Sequence, residues 1–393
     1  MRKLLPYALC LMPLVSNPAF AGFDTNARSA FMIDYDSGAE IYAKSADDLM
    51  PPSSMLKLVT LAVTFDALKS GELKMDDKLP VSKNADYQDP NWKTASKICL
   101  SAGQTVSVHD AIMGAIVLSG GDACVVLAEK LAGSESAFTA KMTARARAFG
   151  MSKSTFGNST GLPDPKNLMT TRELATLATH LISDYPDFYP LFATRRFEFN
   201  DYKSDWCVTW GQSHNVSYNK ILFMMPGADG LKTGQTDAGG YGVVASARQG
   251  GRRLIGVING FAARDHDQLA REAKKLLEYG FATTQNKIFY KPGDNIAKIP
   301  VWYGRSDVVI ATVARPFAVT FVTGTDLSTL RILARYNDPA IAPVDAGAQI
   351  GTVIAELNGQ TIARAPLVAK DRVGKTILFG RLFKNLMVLF GGK

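Results

Sequence analysis

Ser54 and Lys57 have the residue types and the spacing for acyl transfer. A serine hydroxyl is a poor nucleophile until a base takes its proton. A lysine serves as that base once burial or a second cation lowers its pKa. Three residues apart on a helix, hydroxyl and amine share one face. A helix N-terminus adds positive potential, which disfavours the ammonium and favours an oxyanion. The motif taken alone has a simpler account, with Ser54 a helix cap and Lys57 solvated. Ser217-Tyr218-Asn219-Lys220 repeats the pattern and reads as a loop coincidence.

The elements that must position such a pair are legible around it. Pro51-Pro52 stop the preceding strand, and Ser53 or Ser54 is the expected cap of a helix running from Met55 to Leu68, with Gly71 as its stop. Ahead of it, Ala30 to Ile33 and Ile41 to Ala43 flank an Asp36-Ser37-Gly38 turn, a hairpin signal. Gly71 to Leu100 is polar and turn-rich, the mark of a surface excursion.

Further along, Ser107 and Asp110 form a capping box that opens a helix from Ala111 to Leu118. Ser119-Gly120-Gly121-Asp122 is then a tight turn before a second helix, Ala123 to Leu131, with Asp122 as its expected cap. Gly157-Asn158-Ser159-Thr160-Gly161 matches a nucleophile elbow, but Leu162-Pro163-Asp164-Pro165 follows and no helix can start there. Thr170 or Thr171 caps a helix through Leu181. Lys232-Thr233-Gly234 precedes the β-rich runs Tyr241 to Ala247 and Leu254 to Asn259, and Arg271 to Tyr279 reads as a helix ended by Gly280. On a strand, lysine supplies a cation, threonine a hydroxyl for a carboxylate, and glycine lets a peptide lie close. An ordinary exposed strand start is the plainer account of those three residues.

With 47% hydrophobic and 20% charged residues in 393, the chain is globular and long enough for two domains. Residues 1–21 read as a secretory signal peptide: Arg2 and Lys3, an apolar run from Leu4 to Val15, and an Ala19-Phe20-Ala21 cleavage site. The net charge of +8 is uneven. Removing the leader and a basic tail at 370–393 leaves the body near neutral, which excludes a nucleic-acid footprint over it. Cys99, Cys124 and Cys207 allow at most one internal disulfide, or all three are small buried hydrophobes. His109, His180, His214 and His266 form no ligand spacing and read as surface or structural, so neither metal nor other cofactor is implied.

After Pro292 the texture becomes all-β. Phe317 to Phe321 alternates, and Asn358-Gly359 between Val353–Leu357 and Gln360–Ala363 suits a type I′ hairpin. Residues 370–390 carry a wide apolar face interrupted by Lys375, Arg381 and Lys384. This reads as a basic amphipathic helix for an anionic membrane surface rather than a spanning helix. The alternative is a helix docked on the β domain. The expected organisation is a leader at 1–21, a catalytic domain at 22–288, a small β-rich domain at 289–368 and an anchoring helix at 369–393.

Ser54-x-x-Lys57, Ser119 and Lys232-Thr233-Gly234, in that order on one exported chain, resemble the low-molecular-mass penicillin-binding proteins, the D-alanyl-D-alanine carboxypeptidases. The likeness extends to Ser119-Gly120-Gly121-Asp122-Ala123-Cys124-Val125, to Thr171-Arg172-Glu173-Leu174-Ala175, and to the β domain and tail. It implies an α/β (α+β) penicillin-binding transpeptidase-like domain with an antiparallel sheet between helices. It also implies an acyl-enzyme on Ser54, with Lys57 as base and Ser119 as proton shuttle. Lys232 and Thr233 would hold the substrate carboxylate beside Gly234, and the backbone N–H groups of Ser54 and Gln235 would form the oxyanion hole. The implied partners are a peptidoglycan stem peptide, β-lactam antibiotics and the periplasmic face of the inner membrane. One position departs from the pattern: the second motif's asparagine is Gly121, whose place a water could take in a polar space. This keeps open a β-lactamase-like hydrolase, or a non-catalytic wall-binding or scaffold protein. Arg264 and Arg271 lie where the resemblance implies a carboxylate-binding arginine, and neither aligns cleanly enough to be assigned.

Overall fold

The computed structural model describes residues 22–376. The expected leader and most of the expected terminal helix lie outside these residues. Contacts divide the chain into a larger unit ending at Ala282 and a β unit that begins at Thr283.

The larger unit is built on a five-stranded antiparallel sheet. Its strands are β1 (Ser29–Asp34), β2 (Glu40–Lys44), β5 (Ala228–Thr236), β6 (Gly240–Gln249) and β7 (Arg252–Phe261), in the order β2-β1-β7-β6-β5. A short pair, β3 (Lys78–Pro80) and β4 (Thr105–Ser107), stands apart. The helices are α1 (Lys57–Ser70), α2 (Val108–Val117), α3 (Gly121–Ala132), α4 (Glu135–Ala148), α5 (Thr171–Asp184), α6 (Asp205–Ser213), α7 (Ile221–Met224) and α8 (His266–Thr283).

All six residues of β1 are buried because both faces of the sheet are covered. Phe31 and Ile33 pack into the helical cluster with Leu61, Leu174 and Leu177. Ala30 and Met32 face the opposite layer, against Leu269, Leu276 and Leu277 of α8. Strand alternation thus assigns successive side chains to two cores. Helix α1 is buried nearly all round, from Lys57 through Phe65, which is how a central helix reads. It ends at Gly71 in the left-handed conformation.

Several local expectations are corrected. Neither Ser53 nor Ser54 caps the helix: a 3-10 turn, Ser53–Leu56, leads into α1 with no side-chain cap. Asp122 is not the cap of α3, whose N-cap is Gly120. Helix α8 runs through Gly280, where a Cβ would meet Met32 Cε at 2.7 Å, so that glycine serves packing rather than termination. The 71–100 segment is not a mere surface excursion, since Leu79, Val81, Trp92, Ile98 and Leu100 are buried in the main core. Cys99 and Cys207 form a disulfide and Cys124 remains a buried thiol.

The β unit holds β8 (Thr284–Tyr290), β9 (Ala297–Trp302), β10 (Val308–Val313), β11 (Phe317–Val322), β12 (Arg331–Tyr336), β13 (Ala340–Ile341), β14 (Gln349–Leu357) and β15 (Gln360–Ala369). Six form a sheet in the order β12-β14-β15-β10-β9-β13, and β8 pairs with β11. Asn358 and Gly359 both take positive φ, as the type I′ turn requires. Strand β8 begins before the expected boundary at 289. No helix starts at 369: Val373 and Lys375 make bridges to Val344 and Gly304, and Val373 is buried in the β core. Its side chain is therefore spent inside the unit rather than on an amphipathic face. No helix among the described residues is long and apolar enough to cross a membrane.

Candidate active site

Two serine–lysine pairs form the site. On the first turn of α1, Lys57 Nζ donates to Ser54 Oγ at 2.8 Å. Across the fold, Lys232 Nζ on β5 donates to Ser119 Oγ at 2.9 Å and to the Thr233 carbonyl at 3.0 Å. Both lysines are buried, Lys57 at 3% exposure and Lys232 at 1%. Burial pushes the Lys57 amine below the ordinary lysine range. It pushes Lys232 well below, with the Lys57 charge adding to the effect. Two buried ammonium groups near one another cannot both be held, so the site favours a neutral amine, which is the form that accepts a proton.

Each partner is held by a specific device. Ser119 occupies a turn between α2 and α3 with φ of 58°, which turns the chain sharply. Lys57 also donates to the carbonyl of Thr160, and Thr60, one turn on along α1, donates to the carbonyl of Ser159 at 2.7 Å. The Ser159–Gly161 loop is fixed in turn by Glu135, which accepts from the Ser159 amide at 2.8 Å and from its hydroxyl at 2.6 Å. The elbow-like sequence does not present a free serine: Ser159 is committed to Glu135, and the neighbouring Thr160 carbonyl orients the Lys57 amine.

The Ser53–Ser54 segment lies between two glycines. A Cβ at Gly161 would stand 2.1 Å from the Ser53 carbonyl, and one at Gly234 would stand 2.8 Å from the Pro52 carbonyl and 3.0 Å from the Ser54 nitrogen. Only glycine permits either approach. Gly234 thereby sets the strand carrying Thr233 and Gln235 against the amide of Ser54. Ser53, at φ 51°, is braced by a 2.9 Å hydrogen bond between its hydroxyl and that of Thr236.

Behind Ser119 the buried Asp122 carboxylate accepts from Ile98 N at 2.9 Å, Leu100 N at 3.1 Å and Ala123 N at 2.9 Å. Burial raises its pKa against the effect of those donors. Its job is to fasten the 98–100 segment to α3. The neighbouring Cys124 thiol is pushed up to about 12 by burial and stays protonated. His266 stacks on Tyr218 at 5.3 Å and feels the Lys232 charge. Burial first, and Lys232 next, lower its pKa to about 4.

All the sequence-predicted motif residues are thus placed: Ser54, Lys57, Ser119, Lys232, Thr233 and Gly234 line one site, with the exposed Gln235 next along β5. The water imagined in place of the missing amide is corrected, because a Cβ at Gly121 would meet the Trp92 ring at 2.5 Å. Sequence reasoning missed Thr160, Gly161 and Trp92. Only the paired glycines of the 157–161 stretch gave any signal.

The comparisons agree with this architecture. Residues 15–263 match the D-alanyl-D-alanine carboxypeptidase family, and residues 285–375 match the C-terminal domain of penicillin-binding protein 5. The chain is 33% identical over 369 residues to the D-alanyl-D-alanine carboxypeptidase DacC of Escherichia coli strain K12, covering 93% of this chain and 88% of that protein. Penicillin-binding protein 5 of Haemophilus influenzae superposes with a TM-score of 0.78 at 30% identity, over 90% of this chain and 99% of that one. Penicillin-binding protein D2 of Listeria monocytogenes, solved in a cefotaxime-bound form, matches with a TM-score of 0.57 at 28% identity, over 66% of this chain and 99% of that one. The chain belongs to the D-alanyl-D-alanine carboxypeptidase family of serine peptidases.

Proposed function

We propose that the protein is a serine-type carboxypeptidase that removes the terminal D-alanine from peptidoglycan pentapeptides and is acylated by penicillin. The observation that carries the reading is the pair of serine–lysine contacts, Ser54 with Lys57 and Ser119 with Lys232, on one site. Neutral Lys57 takes the Ser54 proton as Oγ attacks the carbonyl carbon of the penultimate D-alanine. The developing oxyanion is met by the backbone N–H groups of Ser54 and Gln235. Ser119 relays a proton to the leaving amine, the peptide C–N bond breaks, and D-alanine departs. Water then cleaves the ester on Ser54. Until D-alanine departs, Lys232 and Thr233 hold its carboxylate. In a β-lactam the same attack opens the ring, and the amine stays tethered to the acyl group.

A β-lactamase-like activity needs a free carboxylate to drive deacylation. Asp122 is committed to backbone donors and Glu135 to Ser159, which disfavours that reading. For location, the reading is the periplasmic face of the inner membrane. It is supported by the cleavage-site sequence Ala19-Phe20-Ala21 and by the basic, apolar sequence after 376.

The test is the intact mass of the purified protein after incubation with benzylpenicillin, with the adduct mapped by digestion, followed by D-alanine release from a pentapeptide. An adduct on Ser54 together with D-alanine release is the expected result. A folded protein that takes up no adduct would move the reading to a non-catalytic wall-binding role.

A further inference from the structure

Gly121 stands where the resemblance places an amide, and the structure shows why no side chain is there. A Cβ built on Gly121 would lie 2.5 Å from Trp92 Cζ3, 3.1 Å from Cη2 and 3.4 Å from the Ser96 carbonyl. The ring cannot swing away freely. Trp92 is 2% exposed, and its Nε1 donates to the Asn84 carbonyl at 2.9 Å. Asn84 itself donates to Glu129 of α3 at 2.9 Å. Lys97 donates to the Trp92 carbonyl at 2.6 Å, and Gly121 N donates to the Ser96 carbonyl at 2.9 Å. The Asp122 contacts and the Cys99–Cys207 disulfide close the frame.

We propose that Trp92 is a specificity-determining residue: its indole occupies the space of the second-motif side chain, and Trp92 with Gly121 forms one unit that changes only together. The consequence concerns recognition. An amide at 121 would offer a donor and an acceptor to the peptide group of a substrate or the acylamino group of a β-lactam, whereas indole carbons offer neither. With the place of that amide filled and no polar side chain at 121, the site discriminates little between ligands with and without that group. The proposal deepens the carboxypeptidase reading and rests on it.

The experiment compares acylation of the full-length protein by benzylpenicillin, which carries an acylamino group, and by 6-aminopenicillanic acid, which does not. It uses wild type, Gly121→Asn, Trp92→Ala and the double variant. Gly121→Asn alone is overpacked, so its melting temperature falls by several degrees and both ligands acylate slowly. In the Trp92→Ala background the same substitution costs less in melting temperature. There the ratio of benzylpenicillin to 6-aminopenicillanic acid rates rises about tenfold over wild type, as a gained hydrogen bond to a buried polar group allows.

Gly121→Asn that melts and acylates like wild type overturns the proposal, as does a double variant with the wild-type ratio. If wild type takes up neither ligand, the carboxypeptidase reading fails and the specificity claim with it. The melting cycle then still decides whether the two residues form one packing unit.

Discussion

Ser54 and Lys57 stand three residues apart where a 3-10 turn runs into the buried helix α1, whereas Ser119 and Lys232 come together from a turn and a strand 113 residues apart. Both contacts are hydrogen bonds of ordinary length between a hydroxyl and a buried amine. What differs is how each is secured. The first is fixed by helix geometry and needs only an aiming carbonyl at Thr160. The second exists only once the sheet has formed and α3 has packed, so its precision depends on the whole unit. The local pair is suited to bond-making, which tolerates little misplacement. The assembled pair is suited to orienting a substrate group and passing a proton.

The largest effect expected from this division is on the nucleophile. Ser54→Ala should abolish the benzylpenicillin adduct at this position and lower kcat for D-alanine release by about a millionfold, the scale seen when a serine enzyme loses its nucleophile. Ser119→Ala should retain a slow benzylpenicillin adduct on Ser54, with a loss of roughly 10²–10³-fold that suits a proton relay. Equal losses at the two serines would erase the distinction. Among the lysines, Lys57→Met should cost about 10⁴-fold in the acylation rate constant as the base disappears. Lys232→Met should cost on the order of 10²-fold in kcat/KM, mostly as a higher KM. The reverse order would exchange their roles.

Gly234→Ala tests the contact that brings the strand to the nucleophile. The added methyl would press on the Pro52 carbonyl at 2.8 Å. It should cost about 1–3 kcal/mol of stability. A kcat loss of about 10²-fold should follow from misplacement of the strand. Unchanged kcat would mean that the strand's approach is not what sets the site. The smallest effect is a shift in pH dependence. Acylation requires neutral Lys57, and burial lowers its pKa, so the rate should fall with acid through a limb lying below the ordinary lysine value of 10.5. A limb at or above that value would remove Lys57 as the base.

The same contrast governs what could be read in advance. The first pair was visible because three-residue spacing on an apolar helix is a local property. The hairpin, the Ser107 and Thr170 caps and the Asn358-Gly359 turn were visible for the same reason. Ser119 and Lys232 carry no mutual signal in the chain, and only the resemblance joined them. Thr160 acts through its carbonyl oxygen, an atom every residue has, so no side-chain pattern could mark it. Asp122 looked like a cap because acidic residues favour helix starts, yet its carboxylate is satisfied by a segment 22–24 residues earlier. Trp92 sits in a polar, turn-rich stretch whose burial depends on α3, which composition does not reveal.

The glycines on either side of the Ser53–Ser54 backbone also bear on how this protein can diverge. At Gly161 and Gly234 the smallest possible replacement already collides with main chain, and Ser53 between them holds a backbone conformation that most residues avoid. Mutation therefore has no graded route through these positions, since each step away is a large one. New ligand preferences must be drawn from the surrounding frame, where side chains such as Trp92 can be exchanged in pairs, while the nucleophile's own segment stays fixed.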